Sequence, residues 1–124
     1  MKRVMIIFVV NNEFDNIQFK DFYEEYSKNI KWGYENINHF NVIKIRDSDI
    51  LYLEKTGIID IISEINDSFP IANGEDDLIM ENDIKEKILI KINNLDIETN
   101  NLIKKIIILF KYAIKYNRWI HFAF

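Results

Sequence analysis

Cysteine is missing from all 124 residues, and glycine and proline are scarce, at three and one. Without thiols the chain cannot form disulfides, thiolate metal sites or a cysteine nucleophile. A cytoplasmic setting is therefore permitted, and it is the location expected. Gly33, Gly57 and Gly74 stand alone, so no glycine-rich loop can cradle a phosphate, and no nucleophile elbow is present. No apolar run approaches the roughly 20 residues of a membrane span. Met1-Lys2-Arg3 before "VMIIFVV" has the outline of a signal peptide. The run is short, however, and "NNEFDN" follows where small cleavage-site residues belong, so a buried first strand is expected instead.

Positive charge is absent from one long interval. No lysine or arginine occurs between Lys55 and Lys85, which encloses Asp60, Glu64, Asp67, Glu75, Asp76, Asp77, Glu81 and Asp83. The sign then reverses. Lys85, Lys87, Lys91, Lys104, Lys105, Lys111, Lys115 and Arg118 face only Glu86, Asp96 and Glu98. The net charge of −4 hides this separation into an acidic middle and a basic C-terminal third.

What is present fits one globular domain spanning residues 1–124. Hydrophobic residues make up 48% and charged residues 29%. Residues 2–10 form a nearly continuous apolar run, as in a central strand covered on both faces. Asp15 with Gln18 makes a capping box for a helix whose stripe is Phe19, Phe22, Tyr23, Tyr26 and Ile30, ending near Gly33. Residues 42–54 pair with themselves as a hairpin, strands 42–46 and 50–54, with apolar Ile43, Ile45, Leu51 and Leu53 on one face. A helix from Asp49 to Asn66 is the rival, but it places Glu54 on the apolar face. Thr56 caps a helix over 57–67. Pro70 and Asn73-Gly74 mark a loop. Asp83 and Glu86 open another helix, with Ile84, Ile88, Ile92 and Leu95 inside. Thr99 opens a last helix to Asn117, whose core face includes Ile103, Ile106, Phe110 and Ala113 opposite Lys104, Lys111 and Lys115. Residues 118–124 form a terminal strand. The expected fold is α+β, a small sheet of about four strands packed by about four helices in the order β-α-β-β-α-α-α-β.

Chemistry-bearing patterns are few. His39 and His121 are the only histidines. His121 with Arg118 and a carboxylate could act as an acid–base set. The plainer reading is a structural histidine alternating with Trp119 and Ala123 on one strand face. An EF-hand centred on Gly74 fails, because Phe69 and Ile71 stand at ligand positions and Met80 where a glutamate is needed. A looser site at Glu75, Asp76 and Asp77 has only weak spacing support, and no cofactor or metal is expected. The aromatic stripe at 19–26 reads as core rather than as a base-stacking set. With a net acidic chain, binding to nucleic acid lacks its electrostatic driving force. The last helix is basic and amphipathic, as membrane-surface helices are, but its wide apolar face suits burial better, and no membrane partner is expected.

The acidic interval is the strongest lead. Asp60, Glu64 and Asp67 recur along one helical stripe, where like charges cost roughly 0.2–0.5 kcal/mol per i,i+4 pair. Clustered carboxylates without lysines suit a surface that meets a basic partner. The sequence therefore points to a non-enzymatic, protein-binding inhibitor. The specific expectation is an immunity protein covering the active site of a basic, nuclease-type toxin domain with all eight carboxylates. Two alternatives stand beside it: a small hydrolase or metal-dependent enzyme using His121 or the carboxylates, and a subunit whose acidic and basic sectors pair between copies. Whether the chain is a monomer or a dimer is left open.

Overall fold

A computed structural model describes residues 4–72 and 74–124. It contains β1 (Met5–Phe8), a 3-10 turn (Asn12–Phe14), α1 (Phe22–Glu35), β2 (Val42–Ile45), α2 (Asp47–Lys55), α3 (Ile58–Ile65), β3 (Asp76–Ile79), α4 (Asn82–Asn93), α5 (Asn101–Tyr116) and β4 (Ile120–Ala123). The four strands form one sheet in the order β2-β1-β4-β3, antiparallel at every step. The fold is α+β, as the sequence leads one to expect.

The pleat explains the layers. Met5, Ile7 and Val9 face one core, which the strands share with α2, α3, α4 and α5. Ile6, Phe8 and Val10 face a second core closed by Trp32 of α1. Both parities of β1 are apolar because both faces are covered. Each fully buried Ile or Phe here contributes about 1.5–3 kcal/mol of transfer free energy. Residues 2 and 3 of the expected strand lie outside the described residues.

The expected second strand of the hairpin, 50–54, is instead helix α2. The Asp49 carboxylate accepts from the Arg46 backbone N–H at 2.9 Å, so the residue expected to turn a hairpin holds a helix start. The objection from Glu54 disappears because the helix is not continuous. Gly57 takes φ 84, breaks the axis and starts α3, and Glu54 stays exposed. The fourth strand is β3, inside the acidic interval.

Helix α1 also starts later than expected. Asn11 caps the 3-10 turn at 12–14, whereas Asp21 accepts from Glu24 N–H at 2.9 Å and starts α1. The shift changes the buried face. Phe22 and Tyr23 are exposed, Tyr23 by 77%, while Asn29, Trp32 and Gly33 are buried. Gly33 lies inside the helix rather than at its end. A Cβ there would meet the Phe8 ring at 2.8 Å. That ring is fully buried and stacks on His121 at 4.6 Å, so it has little room to yield. Gly33→Ala is expected to lower unfolding stability by about 1–3 kcal/mol, helix propensity notwithstanding. Urea titration of both proteins checks this, and a variant as stable as the parent would refute the contact.

The later helices agree better. Ile88 and Ile92 of α4 are buried, and so are Ile103, Ile106, Phe110 and Ala113 of α5. Asn100, not Thr99, caps α5 by accepting from Ile103 N–H at 2.9 Å. Lys85 was not foreseen in the core, yet it is fully buried. Its ammonium donates to Asn82 Oδ1 and to the Arg118 carbonyl just past α5. Burial pulls its pKa down to about 8.

Candidate protein-binding surface

The acidic interval runs through α3 and a turn into β3, an outer strand of the sheet. Asp60 and Glu64 occupy the exposed side of α3, one turn apart, opposite buried Ile58, Ile59 and Ile62. At 1.5 Å per residue, their separation along the axis is about 6 Å. Asp67 follows the helix end with φ 51, a left-handed conformation that aspartate tolerates better than most residues. The chain then passes Ser68 and Phe69, turns, and enters β3, which pairs with β4 and leaves its other side open.

Asp77 fastens this turn. Its carboxylate accepts from Ser68 Oγ at 2.9 Å, from the Leu78 N–H at 2.8 Å and from Asn66 Nδ2 at 3.4 Å. Asn66 Nδ2 also donates to the Leu78 carbonyl at 3.1 Å. The end of α3 is thereby tied to β3. Asp77 is committed to these internal bonds, so it positions the surface more than it presents charge. Phe124 N–H donates to the Glu75 carbonyl at 2.9 Å, which ties the C-terminal residue to the same edge.

Glu75, Asp76 and Asp77 line a shallow hollow of about 400 Å³ together with Ser68, Phe69 and Ile71. Asp76 and Asp77 point to opposite faces of the sheet, because neighbouring residues of a strand alternate. Glu81 and Asp83 are exposed at the other end of β3, where α4 begins. The structure therefore brings Glu75, Asp76 and Asp77 together with Ser68 and Phe69 where α3 runs into β3, next to Asp67, while Asp60 and Glu64 lie on the exposed side of α3. Glu81 and Asp83 follow one short strand away. Among the described residues, no group of three or more carboxylates or histidines converges as a metal site would require, and the loose site at 75–77 gains no support.

Among the described residues, ion pairs join Glu24 to Lys28, Glu35 to Lys31, Asp49 to Arg46 and Asp15 to Arg118. Asp60, Glu64, Asp67, Glu75, Glu81 and Asp83 take part in none of them. Among the described residues these six therefore keep their charge without an ion-pair partner. Sequence reasoning missed Phe69, which is 90% exposed within this acidic run. Its neighbours Asp67, Ser68 and Pro70 carry the signal, since no apolar periodicity there would bury it.

The histidines take structural places. His121 is fully buried. Asn29 Nδ2 donates to the Glu25 carbonyl at 2.8 Å, which leaves Asn29 Oδ1 to accept from His121 Nε2 at 2.9 Å. His121 Nδ1 is then unprotonated and has no partner. Desolvation draws its pKa down to about 3, so the ring is neutral at pH 7. Arg118 is occupied elsewhere, donating to the Asn11 carbonyl and to Asp15. No acid–base set of His121, Arg118 and a carboxylate is assembled. His39 Nδ1 accepts from Asn41 N–H at 3.0 Å beside Trp32 and Phe40.

Comparisons with known proteins now bear on this edge. Residues 4–124 match the family DMP12, described as a DNA-mimic protein. The DNA mimic protein DMP12 of Neisseria meningitidis serogroup B (strain ATCC BAA-335 / MC58) is 34% identical over 103 residues, covering 81% of this chain and 85% of that protein. The solved structure of a Neisseria DNA mimic protein DMP12 superposes with a TM-score of 0.77 at 29% identity, covering 98% of this chain and all of the other. These likenesses overturn the expected immunity function and its toxin partner. The expected class, an immunity-type inhibitor, gives way to that of a DNA-mimic protein. The expectation that nucleic acid has no bearing on function is corrected with it. Among the described residues no helix is long and apolar enough to cross a membrane.

Proposed function

Because the chain belongs to the DMP12 family of DNA-mimic proteins, we propose that its acidic edge occupies the DNA-binding surface of a DNA-binding protein. Asp60, Glu64, Asp67, Glu75, Asp76, Glu81 and Asp83 stand in for backbone phosphates. Asp77 holds the α3–β3 turn in place, and Phe69 supplies an apolar anchor among them. The observation that carries this reading is that Asp60, Glu64, Asp67, Glu75, Glu81 and Asp83 are exposed and take part in no ion pair among the described residues. A DNA-binding groove is built to neutralise a regular row of phosphates, spaced about 3.4 Å along each strand. Carboxylates one helical turn apart present charge on a comparable scale. The protein acts by occupancy and not by turnover, as one domain, in the compartment that holds its partner's DNA, which we take to be the cytoplasm.

Displacement from immobilised DNA tests this. Proteins from the source cells are retained on DNA-cellulose at low salt, and the purified protein is then passed over the column. We expect it to release one or a few polypeptides selectively, in proportion to the amount added. Polyglutamate at equal total charge should release fewer proteins or none selectively. If nothing is released, or if polyglutamate gives the same pattern, mimicry by this edge is refuted.

A further inference from the structure

The opposite edge of the sheet has the opposite character. Strand β2 is the other outer strand. A groove of about 550 Å³ runs beside it, between the turn at 37–41 and α5. Its floor includes Ile43 and Leu109, and its mouth carries two large exposed apolar side chains, Phe40 at 85% and Ile108 at 65%. A second hollow of about 450 Å³ shares Ile43, Lys44 and Lys105 with it and reaches Arg46. The two form one trough along the whole of β2. Its charged lining is Lys44, Lys105 and Arg46 against a single carboxylate, Asp49, already paired with Arg46 at 3.4 Å. In a chain of net charge −4 this trough is locally positive.

Three features converge here. An outer strand leaves every second N–H and C=O directed away from its neighbour. In the β1–β2 register the N–H groups of Ile43 and Ile45 face β1 and that of Lys44 faces outward, and among the described residues no backbone hydrogen bond engages the Lys44 N–H. The apolar floor and the exposed Phe40 and Ile108 would gain by burial. The cations along the trough select the sign of what enters.

We propose that the β2–α5 trough is a second protein-binding site, which takes up an extended segment of another protein carrying apolar side chains interleaved with carboxylates. The segment adds to the sheet as a fifth strand next to β2. Its apolar residues cover Ile43, Leu109 and Ile108, and its carboxylates meet Lys44 and Lys105. The acidic edge at β3 lies at the far side of the sheet and remains free, so one molecule holds two different partners. This site does not depend on DNA mimicry, because neither β3 nor the acidic interval lines the trough.

A fluorescein-labelled octapeptide alternating isoleucine with glutamate is the probe, and the same peptide with lysine for glutamate is its control. The glutamate peptide is expected to bind at least about tenfold tighter. Its binding should slow amide hydrogen exchange at Lys44, whose N–H points away from β1. Ile108→Asp and, separately, Lys105→Glu should each weaken it roughly tenfold. Both side chains are exposed, and circular dichroism of each variant verifies the fold. Asp60→Asn with Glu64→Gln should leave the peptide affinity unchanged. Equal affinity for the two peptides, or unchanged exchange at Lys44, overturns the proposal. So does binding of anionic phospholipid vesicles in place of the peptide with loss on Ile108→Asp, which would assign this face to a membrane surface.

Discussion

Replacing Asp60, Glu64, Asp67 and Glu75 together by their amides is expected to weaken binding to the released DNA-binding protein by roughly 30- to 1,000-fold. The figure takes about 0.5–1 kcal/mol for each partly exposed charge contact, at 1.4 kcal/mol per decade. Most of the loss should appear at low ionic strength, because a Debye length of about 10 Å at 0.1 M salt screens exposed pairs. Folding stability should move in the other direction or not at all. Asp60 and Glu64 repel each other one turn apart, and none of the four carboxylates has an ion-pair partner among the described residues. Loss of affinity without loss of stability marks a surface kept for a partner. Isothermal titration at two salt concentrations measures the first quantity, and urea denaturation the second. If affinity is retained at low salt, these four side chains do not form the contact.

The second large effect concerns acid. His121 is neutral and buried in the fold with a pKa near 3, against an ordinary value of 6.5 when the chain is unfolded. The unfolded state therefore binds a proton between those values that the native state refuses. Its stabilising contribution is complete above pH 6.5 and is lost progressively as pH falls toward 3. Between pH 7 and pH 5 this one group should remove about 2 kcal/mol of unfolding free energy, at 1.36 kcal/mol per pKa unit. His121→Gln keeps an N–H donor within reach of Asn29 Oδ1 but cannot titrate. The variant should start less stable, because the stacking on Phe8 is lost, and yet lose about 2 kcal/mol less than the parent over the same interval. Carboxylates elsewhere contribute equally to both proteins and cancel. Parallel losses in parent and variant would show that His121 does not carry this proton linkage.

The same residue shows how far sequence reasoning reaches. Its alternation with Trp119 and Ala123 was legible, because β-strand periodicity is local. Its burial against Asn29, 92 positions away, was not. The acidic interval was legible as charge, but β3 inside it was not. Glu75-Asp76-Asp77 is a poor strand former, and only pairing with β4 holds it extended. Neither the hairpin over 42–54 nor a single helix from Asp49 to Asn66 forms, because Gly57 allows the chain to end one helix and restart another with a new face. For α1, two caps were available, and packing of Trp32 and Gly33 on Phe8 decided which face turned inward.

The sequence by itself determined β1 as a strand covered on both sides, α5 as a helix with a lysine stripe, and the separation of charge along the chain. Each follows from periodicity or composition within a few turns of backbone. Only the tertiary structure decided that Glu75, Asp76 and Asp77 lie beside an exposed phenylalanine at one sheet edge, and that a positive, apolar trough occupies the other. It also decided that Lys85 and His121 belong to the interior. Those outcomes depend on which distant elements pack together. That choice is set by the summed burial of both cores, which no local window of sequence contains.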